Sequence, residues 1–392
     1  MRRNRSVRLH TETGEERHAT WLELFFDLVF VLAVAQLGRL LHDNLSPQGF
    51  LLLVALFFPV WWAWVGFTYY ADQFGTDDPI FRSVIVVAMF GVIAFATTVH
   101  DVLAGGTVAF AAAYLSLRLL VVGLYVQTWL VTSDLRELCR PWIAGFALGA
   151  TVWVASLFVP PPTRYLLWVL GLGIEMATPI VSNLDSNAPI QVSHLPERFG
   201  LFTILVLGEV ILAVGAGTID IDWEFRGSIV AASGFVVAVC IYSLYFRNFD
   251  WTATTQGISG DRRTLAREFI YGYNHPLVFA GIVATGVGVQ GAIESTASGH
   301  PFSVGGRFAF VGGLMLYLFA ITASQWAAPR SISVRVLSIR LVAVGLLGLL
   351  SLVDDLALVT VTLAAGVLVG LVAFEEVDSR FDRSASEVSR AS

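Results

Sequence analysis

Lysine is absent from this chain of 392 residues; all 24 basic residues are arginine. Schiff-base chemistry with retinal or pyridoxal phosphate is therefore excluded, since both need a lysine amine. Charge of either sign is scarce, at 14% of residues against 56% hydrophobic. Average soluble domains carry about 25% charged residues, so a sizeable soluble domain is excluded as well. Cysteine occurs twice, as Cys139 and Cys240. The two are isolated, which gives neither a disulfide framework nor a metal-binding spacing. There is no H-E-x-x-H and no P-loop, no convincing nucleophile–base pairing, and no basic-aromatic surface for nucleic acid. The sequence therefore predicts no cofactor, no metal site and no nucleic-acid partner, and it favours a role other than catalysis.

Long apolar runs stand where charge is missing. The mean hydropathy is +0.72, and runs of about 20 residues, enough to cross a hydrocarbon core of about 30 Å, recur along nearly the whole chain. The pattern predicts an all-α polytopic membrane protein embedded in a lipid bilayer, with about twelve transmembrane helices. The expected spans are 21–42, 48–71, 80–99, 107–131, 141–159, 164–183, 197–217, 225–248, 265–290, 307–328, 332–353 and 355–375. Only Asp354 and Asp355 separate the last two, so ten or eleven spans also fit. The first run is too long and too aromatic for a signal-peptide core and reads as a true span.

Arginine placement sets the orientation. With a cytoplasmic N-terminus, most arginines from Arg2 to Arg390 fall on the inner side, and Arg39, Arg164, Arg226 and Arg307 fall outside. That asymmetry obeys the positive-inside rule and predicts an even span count with both termini cytoplasmic.

Hydropathy divides into six plus six. Segment 1–20 reads as a basic cytoplasmic arm, 21–183 as a first six-helix repeat, 184–196 as a cytoplasmic linker and 197–375 as a second repeat. Segment 376–392 reads as a disordered cytoplasmic tail. "ELFFDLVFVLAVAQLG" opens the first repeat and "LGEVILAVGAG" lies in the first helix of the second, so Asp27 and Glu209 are acids on corresponding helices. An even number of spans per repeat makes the two copies parallel.

"ELFFDLVFVLAVAQL" at 23–37, "WWAWVGFTYYADQFGTDD" at 61–78 and "HLPERFGLFTILVLGE" at 194–209 resemble the bacterial low-temperature-requirement A family, LtrA. The resemblance covers the chain to about residue 375. It implies a multi-span bacterial plasma-membrane protein; the family name records a cold-growth phenotype and brings no catalytic residues with it. "FFDLVFVLAV" is also similar to an F-S-D motif in the first helix of a group of potassium channels built from six-helix repeats, with Phe26 here in place of the serine.

Ionisable residues inside the spans are the candidate functional groups. Glu209 lies twelve residues after Glu197, about 18 Å along a helix and close to the midplane. Glu175 lies at similar depth, and Arg118 and His275 are also placed mid-membrane. Asp27 is shallower, four residues after Glu23 on the same helix face. Each costs at least about 2.5–3.5 kcal/mol when unpaired at a helix centre. Arg118 is the only fixed cation that the sequence places deep, and it is expected beside Glu175 or Glu209. A bland reading stands beside each. An Arg–Glu pair can serve packing alone, His275 can sit in a kink made by Pro276, and Glu23 with Asp27 can form a solvated mouth. Gly208 before Glu209 is expected to admit a close helix or ligand.

His194, Glu197 and Arg198 form a cytoplasmic-mouth candidate, either a gate or a helix cap with a surface anchor, Arg198 sitting at the membrane surface. Trp61 and Trp62 are candidates to line a cavity, while Tyr69 and Tyr70 suit an interfacial belt. Asp72, Asp77 and Asp78 read as a solvated loop. Three functions stay open: a transporter or channel for a small solute or cation, proton included, with its pathway between the repeats; a membrane enzyme acting on a lipid or lipid-linked substrate; or a non-catalytic scaffold or sensor in cold adaptation. The sequence leaves the oligomeric state open.

Overall fold

A computed structural model describes residues 20–74, 78–185, 195–218, 225–247, 271–327, 332–352 and 356–391. Twelve long α-helices dominate them. They are α1 Trp21–Asp43, α2 Pro47–Gln73, α3 Pro79–Asp101, α4 Thr107–Val131, α5 Arg136–Ser156, α6 Thr163–Asp185, α7 Leu195–Thr218, α8 Phe225–Arg247, α9 His275–Ser298, α10 Val304–Ala327, α11 Val334–Leu350 and α12 Ala357–Ala391. Eleven membrane-length apolar helices are present among the described residues. The remaining one, α11, has 17 residues, about 25 Å at 1.5 Å per residue and short of the hydrocarbon thickness. The chain is an all-α polytopic membrane protein.

Local signals set several helix ends. Asp78 caps α3 by accepting from the backbone N–H of Ile80, with Pro79 at the first helical position, where its missing N–H costs nothing. Ser333 caps α11 through Val336 N. α9 begins at His275–Pro276 and ends where Gly299 takes φ 67° and turns its N–H back onto the last carbonyls, a left-handed cap that glycine adopts without strain. The sequence expects this span at 265–290, with Pro276 as an internal kink. Residues 271–273 are helical, Asn274 is a turn, and α9 continues from His275, so the apolar span runs Tyr271–Ser298 with the break just before Pro276. α12 runs on to Ala391, past the expected end of the span at 375. Arg380 Nε to Glu376 Oε1 at 2.9 Å, four residues apart, supports the extra turns.

The chain divides into two compact units. One comprises 1–37, 55–202 and 254–265; the other comprises 38–54, 203–253 and 266–392. In the first, α3, α4, α5 and α6 pack in succession, each on the next. Its interior is aromatic and polar: Trp61, Trp62, Trp64, Trp142 and Trp153 are fully buried, while Val86, Val87 and Phe90 on α3 face outward. Apolar side chains outside and charged ones inside reverse the soluble pattern and suit a lipid surround.

In the second unit α9 is the central helix, buried on nearly all sides, with α10 as its most extensive neighbour. Small residues make that contact. A Cβ on Gly281 would lie 2.7 Å from Tyr317 N, and one on Gly313 would lie 2.6 Å from Thr285 N. Backbones this close are the usual means of helix association where no water drives packing. α8 packs on both α9 and α12, and α11 on α12.

Candidate functional site: buried charges on the membrane helices

The first cluster joins α1, α2 and α7. Spacing of four residues puts Glu23 and Asp27 on one face of α1. Asp27 Oδ1 accepts from Trp64 Nε1 at 2.7 Å and from Arg198 Nη2 at 2.5 Å. Arg198 Nη1 lies 3.4 Å from Glu23 Oε2, and the guanidinium sits 5.7 Å from the centroid of the Trp64 ring. Phe202, one turn beyond Arg198, stacks on Trp64 at 4.6 Å, and Phe199 stacks on Trp61 at 6.3 Å. One face of α7 thus supplies both Arg198 and Phe202, and α2 supplies Trp64, the ring that both contact. Asp27 is 0% exposed and Arg198 5%. Arg198 is therefore no surface anchor: the aromatic contacts of its helix turn pull it inward, where two carboxylates receive it. Asp27 Oδ2 and Arg198 Nε are buried without a hydrogen-bond partner among the described residues.

The second cluster joins α2, α4 and α6. Arg118 Nε is 2.9 Å from Glu175 Oε2; of the two acids the sequence offers, it is Glu175. Tyr114, one turn before Arg118, donates its hydroxyl to Glu175 Oε2 at 2.5 Å and accepts from Arg118 Nη2 at 2.9 Å. Arg118 Nη2 also donates to the carbonyl of Trp62 at 2.8 Å. The rings of Tyr114, Phe146 and Trp62 surround the guanidinium at 5.2, 5.4 and 6.0 Å. Glycines clear the space: a Cβ on Gly66 would strike Arg118 Nη1, and one on Gly149 would strike Glu175 Cγ.

Glu209 differs from both. It is the fifteenth residue of α7 and half-buried, and its Oε2 is sealed from solvent with no hydrogen-bond partner among the described residues. Among the described residues it makes no ion pair. The close approach expected at Gly208 is not there, because a Cβ at Gly208 would meet nothing within 4 Å. It lies instead at Gly38 of α1, whose added Cβ would sit 3.8 Å from Glu209 Oε1 and 3.3 Å from Val283 Cγ1.

The remaining candidates have structural surroundings. His275 Nδ1 donates to the carbonyl of Tyr271 at 2.9 Å, which leaves Nε2 to accept from the Tyr245 hydroxyl at 3.1 Å. Trp61 and Trp62 pack on each other with centroids 5.6 Å apart, Trp61 under Phe199 and Trp62 under Arg118. Tyr69 and Tyr70 are buried and form no interfacial belt: Tyr69 packs on Trp142, and the Tyr70 hydroxyl bonds Thr128 Oγ1 at 2.7 Å. Of the three loop acids, Asp72 lies buried in the last turn of α2, Asp78 caps α3, and Asp77 is outside the described residues. His194 is also outside them; Glu197 is half-buried in the first turn of α7. No group of three or more histidines, cysteines or acids positioned for a metal occurs among the described residues.

One cluster escaped the sequence reading. Arg340 of α11 meets Glu375 of α12 side by side, Nε to Oε1 at 2.7 Å and Nη2 to Oε2 at 3.1 Å. Its Nη1 donates to Gln325 Oε1 at 2.6 Å and Thr322 Oγ1 at 3.2 Å. Arg118 is therefore not the only deep arginine. The signal was present, since Arg340 is flanked by apolar residues in "LSIRLVAV". Glu375 sits at the expected end of the last span and reads as a boundary.

Comparison with known proteins agrees with this architecture. The sequence profile described as bacterial low temperature requirement A protein (LtrA) matches residues 18–373. A protein of Rhizobium meliloti (strain 1021), named uncharacterized protein RA0937, is 27% identical over 351 residues, covering 86% of this chain and 83% of the relative.

Proposed function

The chain belongs to the bacterial low temperature requirement A family of integral membrane proteins, and on that premise we propose that it is a transporter or channel for a small solute or cation, proton included. In this reading, 21–183 and 197–375 are two parallel six-helix repeats of a protein of the bacterial plasma membrane, and both termini are cytoplasmic. The path runs past the acids of α1 and α7.

One observation carries the reading. Arg118, Glu175, Asp27, Arg198, Arg340 and Glu375 each have an ion-pair partner, whereas Glu209, in the middle of α7, has none among the described residues. Paired charges inside a membrane are explained by packing. An unpaired carboxylate is not, and intramembrane ionisable groups of that kind mark ion pathways by default. The paired Asp27 and Arg198, on the first turns of α1 and α7, serve in this reading as the mouth of the path.

The test is flux into liposomes containing the purified full chain, under an imposed membrane potential. The probes are radioactive sodium, radioactive rubidium and an entrapped pH dye. Flux of at least one above that of protein-free vesicles is expected, with loss in Glu209→Gln. Wild-type protein that moves none of the three would remove the reading.

A further inference from the structure

We infer that Glu209 is a proton-binding site: its carboxyl group takes up and releases one proton at the middle of α7, and it holds no metal cation. The inference deepens the transport reading by naming the coupling species. It rests on that reading only for the consequence that the proton crosses the membrane.

The ligand set decides between a proton and a metal ion. A hard cation such as calcium takes six to eight oxygen ligands, roughly. Glu209 offers two oxygens, and where α1 approaches it at Gly38 the nearest side chains beside its Oε1 are the apolar Val283 and Val287 of α9. Gly286 of α9 packs on Val210, the next residue of α7. A proton needs a single oxygen and leaves a neutral carboxyl group, which an apolar wall accepts where it would reject an uncompensated charge.

The ionisable groups on the surrounding helices leave that assignment standing. On α7 itself the nearest are Glu197 and Arg198, more than two turns back, and Arg198 is held by Asp27 and Glu23. On α1, Arg39 follows Gly38 and is exposed, while His42 and Asp43 end the helix. On α9, His275 stands at one end, held by Tyr271 and Tyr245, and Glu294 stands near the other, bonded to Gln290. α8 packs on α7 where Gly234 meets Val214. It carries Arg226 and Arg247 at its ends, with Cys240, Tyr242 and Tyr245 between. None of these is an ion-pair partner of Glu209.

The experiment is infrared difference spectroscopy of the full chain in lipid nanodiscs across a pH titration. It uses wild-type protein, wild-type protein labelled with carbon-13 glutamate, and Glu209→Gln. The expected result is a protonated-carboxyl carbonyl band that moves with the glutamate label, is lost in Glu209→Gln, and is unchanged by sodium, potassium or calcium at constant pH. A wild type without a label-sensitive band would overturn the inference. So would a band that persists in Glu209→Gln, or one that any of the three cations displaces. If Glu209→Gln does not fold, Glu209→Asp decides the matter: its carbonyl band no longer moves with the glutamate label, which separates Glu209 from the other buried glutamates, and a label-sensitive band that persists in it would overturn the inference. Flux separates this inference from the reading above. A band without flux keeps the proton site and removes transport. Rubidium or sodium flux without the band keeps transport and removes the proton.

Discussion

Asp27 and Arg198 stand 171 residues apart in the chain and share one buried ion pair, Oδ1 to Nη2 at 2.5 Å. The pair fastens the first turns of α7 to α1, with the Trp64 indole bonded to the same carboxylate oxygen. Removing Arg198 leaves Asp27 buried without its cation, and removing Asp27 leaves Arg198 with Glu23 alone at 3.4 Å; breaking a buried pair costs more than the pair contributes when intact.

Asp27→Asn and Arg198→Gln are each expected to destabilise the protein by about 3–5 kcal/mol, the range for breaking a buried pair. The double variant is expected to recover part of that loss. Thermal unfolding in detergent, followed by intrinsic tryptophan fluorescence, measures all three. Losses that simply add in the double variant would mean that the two residues are not coupled.

The Arg118–Glu175 cluster predicts a graded series. Tyr114→Phe leaves an acceptor of Glu175 with one donor fewer and is expected to cost about 1–3 kcal/mol. Arg118→Leu alone is expected to cost more, about 3–5 kcal/mol, and Arg118→Leu with Glu175→Leu less than Arg118→Leu alone. The same unfolding assay ranks them. A double variant worse than either single change would contradict a packing role for this pair.

Gly288→Ala tests the α9–α10 contact. The new Cβ would meet the backbone nitrogen and Cα of Phe310, which cannot rotate aside as a side chain can. A loss of about 1–3 kcal/mol is expected, the usual cost of overpacking. Gly123→Ala is the control, because its Cβ would meet nothing within 4 Å, and it is expected to be neutral or slightly stabilising. Equal melting temperatures for the two variants would show that the close crossing is not limiting.

Topology is checked by reporter fusions. Both termini are expected on the cytoplasmic side, from the arginine asymmetry. Fusions after Arg380 and before Trp21 that report opposite sides would mean an odd number of crossings, with the 17-residue α11 the first candidate not to cross.

Composition and periodicity by themselves determined that this is an all-α membrane protein, and they placed most spans within a few residues. Burying backbone polar groups in hydrocarbon leaves an uninterrupted helix almost no alternative, so a run of apolar residues reads directly as a span. The same rule located Arg118, Glu175, Asp27 and Glu209 as costly charges. Boundaries governed by one residue were less legible. Pro276 fits a kink and a helix start equally well in sequence, and the span, expected at 265–290, runs Tyr271–Ser298 among the described residues.

Pairing was legible only in part: the scarcity of deep cations narrowed the partner of Arg118 to Glu175 or Glu209, but the choice between them, 57 and 91 residues away, and the pairing of Arg198 with Asp27 across 171 residues could not be read from the chain. Depth along a helix is a property of sequence; the direction a side chain faces depends on which other helix lies beside it. Arg198 and Arg340 show the consequence. Arg198 near its span end is compatible with snorkelling to the surface, yet aromatic contacts turn it inward, while Arg340 within its span is received by Glu375 and Gln325. The tertiary structure alone decided which buried charges are compensated and that Glu209 has no partner among the described residues, since compensation is set by distance in space and the chain order carries no record of it.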